Sequence, residues 1–110
     1  MKNIILLVED DTQLGQTLRD FFECNDFFVL WAKDGNSAIR MFEQTPPSII
    51  LLDVELPYKN GFEIATEIRK SNNKVPIIFM TGTALSEKER IDGYHHHHAA
   101  NYLEKPVIPQ

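Results

Sequence analysis

Four short apolar runs in this chain each end on a polar residue suited to phosphate chemistry. Ile4–Val8 leads into Glu9-Asp10-Asp11, and Ile49–Leu52 leads into Asp53. Ile77–Met80 leads into Thr81, and the short run at Tyr102-Leu103 leads into Lys105-Pro106. Short runs rich in Ile, Leu and Val read as strands buried on both faces, as in a parallel sheet. In an open parallel sheet, ligands bind along the edge formed by the carboxyl ends of the strands. The order of these runs therefore predicts one pocket holding several carboxylates, a hydroxyl and an ammonium. Such a set suits a divalent cation and a phosphoryl group.

The spacing between the runs supports an alternating α/β chain. Strands are expected at about Asn3–Val8, Phe27–Ala32, Ser48–Asp53, Val75–Thr81 and Asn101–Leu103. Leu14, Leu18, Phe21 and Phe22 recur at helical spacing, giving a first helix over about Thr12–Cys24. Asp11 or Thr12 can cap it, and Asp11 reads as a cap rather than a metal ligand. Asp34-Gly35-Asn36 reads as a turn. A second helix follows with Ala38, Ile39 and Phe42 inward, ending before Pro46-Pro47. Pro57-Tyr58-Lys59-Asn60-Gly61 reads as a loop, and Phe62–Ser71 as a third helix. Ser86-Glu87-Lys88-Glu89 has capping-box spacing and opens a fourth helix. Short right-handed crossovers put the first helix alone on one face of the sheet. Trp31 and the phenylalanines read as packing residues.

Bulk properties narrow the function. A chain of 110 residues makes one domain with one core. Its net charge of −5 gives no basic footprint for nucleic acid. No stretch approaches the roughly 20 apolar residues of a membrane span. The N-terminal apolar run is too short for a secretion signal and runs straight into acids. Cys24 is the sole cysteine, which fits a reducing cytoplasm. The expected localisation is cytoplasmic.

Glu9, Asp10 and Asp53 brought together repel one another at neutral pH. A hard cation relieves that repulsion, and a carboxylate-rich oxygen site suits Mg²⁺. Asp53 can attack a phosphoryl donor to give an acyl phosphate. Lys105 can pair with a phosphoryl oxygen, and Thr81 can donate a hydrogen bond to another. Phosphoryl transfer needs mainly positioning and charge stabilisation, which these groups supply.

The same residues carry a family resemblance. Val8-Glu9-Asp10-Asp11, Leu51-Leu52-Asp53-Val54-Glu55-Leu56-Pro57, Asn60-Gly61, Met80-Thr81-Gly82 and Tyr102-Leu103-Glu104-Lys105-Pro106 together resemble the receiver domain of two-component response regulators, the CheY-like family. The match is ordered and spans nearly the whole chain. It implies a flavodoxin-like, doubly wound five-stranded parallel sheet. It implies that Asp53 is the phosphoacceptor, with Thr81 and Lys105 completing the catalytic set. It implies Mg²⁺ as cofactor, with Asp10 as a direct ligand, Glu9 acting mainly through water, and Asp53 and the backbone carbonyl of Glu55 completing the set. Thr81 and Tyr102 take the switch roles, and Lys105–Pro106 takes the family's cis bond. The implied donor is a sensor histidine kinase or a histidine phosphotransfer protein, and the output is a phosphorylation-driven signalling switch. The implied domain is not an enzyme in its own right. It has no direct nucleic acid contact and no membrane contact.

Two other classes compete with this reading. A phosphatase of the haloacid-dehalogenase type also uses Asp, Mg²⁺, Thr or Ser, and Lys. Those enzymes resemble D-x-D-x-T after the first strand, whereas Asp53 ends the third and Glu55 replaces the second acid. A non-phosphorylated interaction module is the other rival, and the joint presence of Glu9, Asp10, Asp53, Thr81 and Lys105 opposes it.

Two features depart from the family pattern. His95-His96-His97-His98 precedes the last strand, and only His95 and His98 share a helical face. They read as a solvated helix end or engineered sequence rather than a dedicated metal site. Only Val107-Ile108-Pro109-Gln110 follow Pro106, too few for the family's fifth helix. The chain therefore reads as a receiver domain over residues 1–110, truncated at its C terminus, with an apolar strip that favours self-association.

Overall fold

Strand β1 (Asn3–Val8) is apolar throughout and buries side chains on both of its faces. Leu6 and Val8 join one core cluster, while Ile5 and Leu7 join another. This alternation is the two-residue period of a strand with helices on both sides. The computed structural model describes residues 3–81, together with the backbone of 99–104. The expected fourth helix from Ser86, the run His95–His98, and Lys105 through Gln110 lie outside the described residues.

In chain order, β1 is followed by α1 (Thr12–Cys24), β2 (Phe27–Ala32) and α2 (Gly35–Gln44). Then come β3 (Ile49–Asp53), α3 (Gly61–Ser71), β4 (Ile77–Thr81) and β5 (Ala99–Glu104). The sheet is parallel, with strand order β2-β1-β3-β4-β5. The chain leaves β1 toward β2, then returns to the other side of β1 to place β3. The gap beyond the ends of β1 and β3 is thus the topological switch point, where an open α/β sheet binds ligands.

Leu18 of α1 packs with Ile5, Leu7 and Leu51 on one face. Ala38 and Phe42 of α2, and Ile64, Ala65 and Ile68 of α3, pack on the other. Among the described helices α1 is alone on its face, as the crossover rule requires. Each fully buried Leu or Ile contributes about 1.5–3 kcal/mol. The α1 face also holds an apolar cavity of about 210 Å³, bordered by Ile5, Leu18, Phe22, Ile49, Leu51 and Met80 among others.

Local signals set the ends of the elements. Asp11 caps α1, its side chain accepting from the Leu14 N–H at 3.0 Å. Asp34-Gly35-Asn36 is not the separate turn expected from its composition. Asp34 accepts from the Ser37 N–H at 2.8 Å, which draws Gly35 and Asn36 into the first turn of α2. The same side-chain chemistry serves turns and helix caps, so composition alone did not separate them. Strands β3 and β4 begin one or two residues later than expected, and β5 extends beyond Asn101–Leu103 at both ends.

Candidate functional site

Sheet register brings the carboxylates together. Val8 of β1 lies opposite Leu52 of β3, so Glu9 and Asp53 follow at adjacent positions. Asp53 in turn lies opposite Met80, which places Thr81 one residue further along β4. Both ladders continue past the paired strands. The Glu9 N–H donates to the Ala32 carbonyl at 3.0 Å, and the Val54 N–H donates to the Met80 carbonyl at 2.8 Å. Glu9 and Asp53 are therefore held by sheet geometry rather than by loops. Both are fully buried, and Thr81 is buried beside them. Asp10 is exposed at the mouth.

Backbone donors orient the carboxylates. The Asp11 N–H donates to Glu9 Oε2 at 3.1 Å, and the Glu55 N–H donates to Asp53 Oδ1 at 2.9 Å. The Asp11 side chain is committed to the N-terminus of α1, which leaves Glu9 and Asp10 as the acidic pair of this turn. Beneath Asp53, the Gly61 N–H donates to the Val54 carbonyl at 2.9 Å. Asn60 and Glu63 form a reciprocal capping box that fixes the start of α3 against this loop.

Glu9, Asp10 and Asp53 each offer a carboxylate oxygen, and these atoms lie within 4.8 Å of one another. The donor set is all oxygen, with two buried members and one facing solvent. Hard divalent cations that retain several waters, Mg²⁺ above all, suit such a site. Softer metals would call for nitrogen or sulfur ligands. The residues present fit Mg²⁺.

The structure thus brings together Glu9, Asp10, Asp53 and Thr81. The Glu55 side chain is exposed, while its backbone N–H engages Asp53. Tyr102 falls within β5, opposite Phe79, and β5 ends at Glu104 opposite Thr81. Lys105 and the Lys105–Pro106 bond lie outside the described residues. Trp31 is more than the packing residue its composition suggested, because its indole Nε1–H donates to the Glu9 carbonyl at 2.9 Å. A signal for this was present in the position of Trp31, one residue before the end of a strand that neighbours β1. The bond itself needs the register to be known.

The chain matches the response regulator receiver domain over residues 5–110. It is 34% identical over 102 residues to the transcriptional regulatory protein RprY of Bacteroides fragilis (strain YCH46), covering 93% of this chain and 42% of that protein. It is 36% identical over 104 residues to the transcriptional regulatory protein CpxR of Klebsiella pneumoniae subsp. pneumoniae (strain HS11286), covering 94% and 43% respectively. Among solved structures, the non-phosphorylated HemR receiver domain from Leptospira biflexa matches with a TM-score of 0.88 at 37% identity, covering 96% of this chain and 84% of that one. The chemotaxis protein CheY4 of Vibrio cholerae shares the fold, with a TM-score of 0.90 at 24% identity, covering 97% of this chain and 89% of that one.

A doubly wound sheet with this acidic cluster at its switch point defines a CheY-like signalling domain. The chain belongs to the receiver domain family of two-component response regulators. It spans about two fifths of the length of RprY and CpxR, both named as transcriptional regulatory proteins. Among the described residues, no helix is long and apolar enough to cross a membrane.

Proposed function

We propose that Asp53 accepts a phosphoryl group from a phosphohistidine on a sensor histidine kinase or histidine phosphotransfer protein, in a Mg²⁺-dependent step. The observation that carries this reading is the placement of Asp53. It is buried at the carboxyl end of the central strand, between Glu9 of β1 and Thr81 of β4.

In this step an oxygen of the Asp53 carboxylate forms a bond to phosphorus as the donor's N–P bond breaks. The electron pair of that bond leaves with the donor imidazole, which takes up a proton. The Glu55 N–H fixes the rotation of the attacking carboxylate, and burial keeps competing water away. Glu9, Asp10, Asp53 and the Glu55 carbonyl would hold Mg²⁺, and the bound cation would offset the negative charge on the phosphoryl oxygens. Lys105 supplies a second positive charge. Thr81 donates its hydroxyl to a phosphoryl oxygen, and this contact biases the switch that includes Tyr102. A regulator acting in this way works in the cytoplasm, with the kinase as partner.

Treatment with acetyl phosphate and Mg²⁺ tests the reading. The protein should gain the mass of one phosphoryl group, and chelation of Mg²⁺ should prevent the gain. Equal labelling of Asp53→Asn would overturn the assignment.

A further inference from the structure

We propose that Trp31 is a positioning residue for the cation site, setting the orientation of the peptide between Glu9 and Asp10. This rests on the reading of Glu9, Asp10 and Asp53 as that site. Trp31 is in β2, opposite Leu7 of β1. From there its indole reaches past the end of β1, and Nε1–H donates to the Glu9 carbonyl oxygen at 2.9 Å. That carbonyl belongs to the peptide that leads into Asp10. Holding it in one orientation fixes the direction in which the Asp10 Cα–Cβ bond leaves the chain.

The peptides on either side are held too. The Glu9 N–H is tied to the Ala32 carbonyl at 3.0 Å, and the Asp11 N–H to Glu9 Oε2 at 3.1 Å. Three successive peptide units are thus pinned, the middle one by a side chain from a neighbouring strand. Asp10 is the exposed member of the cluster, so its own surroundings restrict it least. Peptide orientation therefore matters more for Asp10 than for the buried Glu9 and Asp53.

The indole is itself built into place. It rests against the bare Cα of Gly15 on α1, where a Cβ would overlap ring atoms of Trp31. Lys33 Nζ lies 4.9 Å from the ring centroid, and the Arg19 guanidinium carbon lies 5.5 Å from it. Both are cation–π distances. Lys33 Nζ also donates to Thr12 Oγ1 at 3.4 Å, which joins the end of β2 to the first residue of α1. A ring fixed in this way is a rigid donor, and partners beyond the metal ligands commonly tune affinity by orienting those ligands.

The test uses the unaltered protein and two variants. Trp31 is the only tryptophan, so ¹⁵N labelling gives one indole N–H signal. Titration with Mg²⁺ should shift that signal along the same binding curve as the Asp10 backbone amide. Trp31→Phe keeps an aromatic ring but removes the donor, and should weaken Mg²⁺ binding by about tenfold in calorimetry. Gly15→Ala displaces the indole and should weaken binding in the same direction. Ile68→Val, which loosens the core on the opposite face, should leave Mg²⁺ affinity unchanged and so separates positioning from general stability.

An indole signal that stays in place at Mg²⁺ saturation would overturn the assignment. So would a Trp31→Phe affinity within about twofold of the unaltered protein. In either case the acidic site would stand without its indole support. Failure of the unaltered protein to bind Mg²⁺ would instead overturn the reading of the acidic site, and this inference with it.

Discussion

Gly61 lies directly against the peptide that carries Asp53. A Cβ at Gly61 would strike the Asp53 carbonyl oxygen and come within 2.9 Å of the Val54 Cα. The obstacle is backbone at the centre of the sheet edge, which cannot move aside as a flexible side chain can. Gly61→Ala should therefore shift either the start of α3 or the Asp53 backbone. Overpacking of this kind costs about 1–3 kcal/mol. Urea unfolding should show a lower midpoint with an unchanged slope, and acetyl phosphate labelling of Asp53 should slow. Gly35→Ala is the contrasting case. A Cβ there would meet Ile64 Cδ1 at 3.0 Å, Ile64 Cγ1 at 3.1 Å and Lys59 Cδ at 3.3 Å, which are side-chain rather than backbone atoms. Gly35 is the first residue of α2, where the helix-interior advantage of alanine does not fully apply, so Gly35→Ala should destabilise, but by less than Gly61→Ala.

The cap of α2 should make stability depend on pH. Hydrogen bonding from the Ser37 backbone N–H holds the Asp34 carboxyl below its ordinary value of 3.8, because it favours the charged form. A lowered folded pKa contributes stability that is present above the unfolded value and lost as pH falls through the folded one. At neutral pH, Asp34→Ala should cost about 1 kcal/mol as a lost cap. The gap from the unaltered protein should hold down to the ordinary carboxylate range and narrow below it. Asp34→Asn keeps a capping oxygen without a charge. It should be nearly as stable at neutral pH and lack this acid-sensitive component in urea titrations.

Tyr58 occupies an unfavourable backbone conformation with φ of 68°. Its side chain is fully exposed, so it gains no burial in exchange. The left-handed region costs an L-residue about 1–2 kcal/mol, and glycine escapes most of that. Tyr58→Gly should raise stability by roughly 0.5–1 kcal/mol after allowing for the greater freedom of glycine when unfolded. Asp26 has the same φ, but aspartate tolerates this conformation better. Asp26→Gly should therefore gain less than Tyr58→Gly when the two are compared by thermal unfolding.

The sequence patterns that proved legible share a physical cause. Strands buried on both faces must be continuously apolar, so β1 and β3 announced themselves, and with them the positions of Glu9 and Asp53. Parallel connection with short crossovers then left few ways to order the sheet, and one edge had to gather the carboxylates. What could not be read depends on register and on competition between equivalent local bonds. Asp34 was legible as a turn former but not as a cap, since both uses satisfy backbone N–H groups with the same oxygen. The bond from Trp31 to Glu9 joins residues 22 apart in sequence, through a pairing that neither residue type signals. The strain at Tyr58 was hidden because a loop sequence reveals turn chemistry without assigning each φ.

Asp10 and Asp11 are adjacent acids with separate tasks, and cation binding should tell them apart. The Asp11 side chain accepts from the Leu14 N–H at 3.0 Å and serves α1, whereas Asp10 belongs to the cluster with Glu9 and Asp53. A cation that binds only the folded chain stabilises it by about 1.4 kcal/mol at roughly ten times its Kd. For a domain of this size that corresponds to a rise of roughly 5–10 °C in Tm. The unaltered protein should show that rise when Mg²⁺ is added and lose it on chelation. Asp10→Asn removes a charged ligand and should abolish most of the rise. It also relieves repulsion among the three carboxylates, so without Mg²⁺ it should be at least as stable as the unaltered protein. Asp11→Asn keeps a good capping residue and should keep the full response, because asparagine and aspartate cap equally well. Calorimetric scans of the three proteins, with and without Mg²⁺, decide the matter. Equal loss of the Mg²⁺ response in both variants would place Asp11 in the cation site and overturn the division of labour drawn from its bond to Leu14.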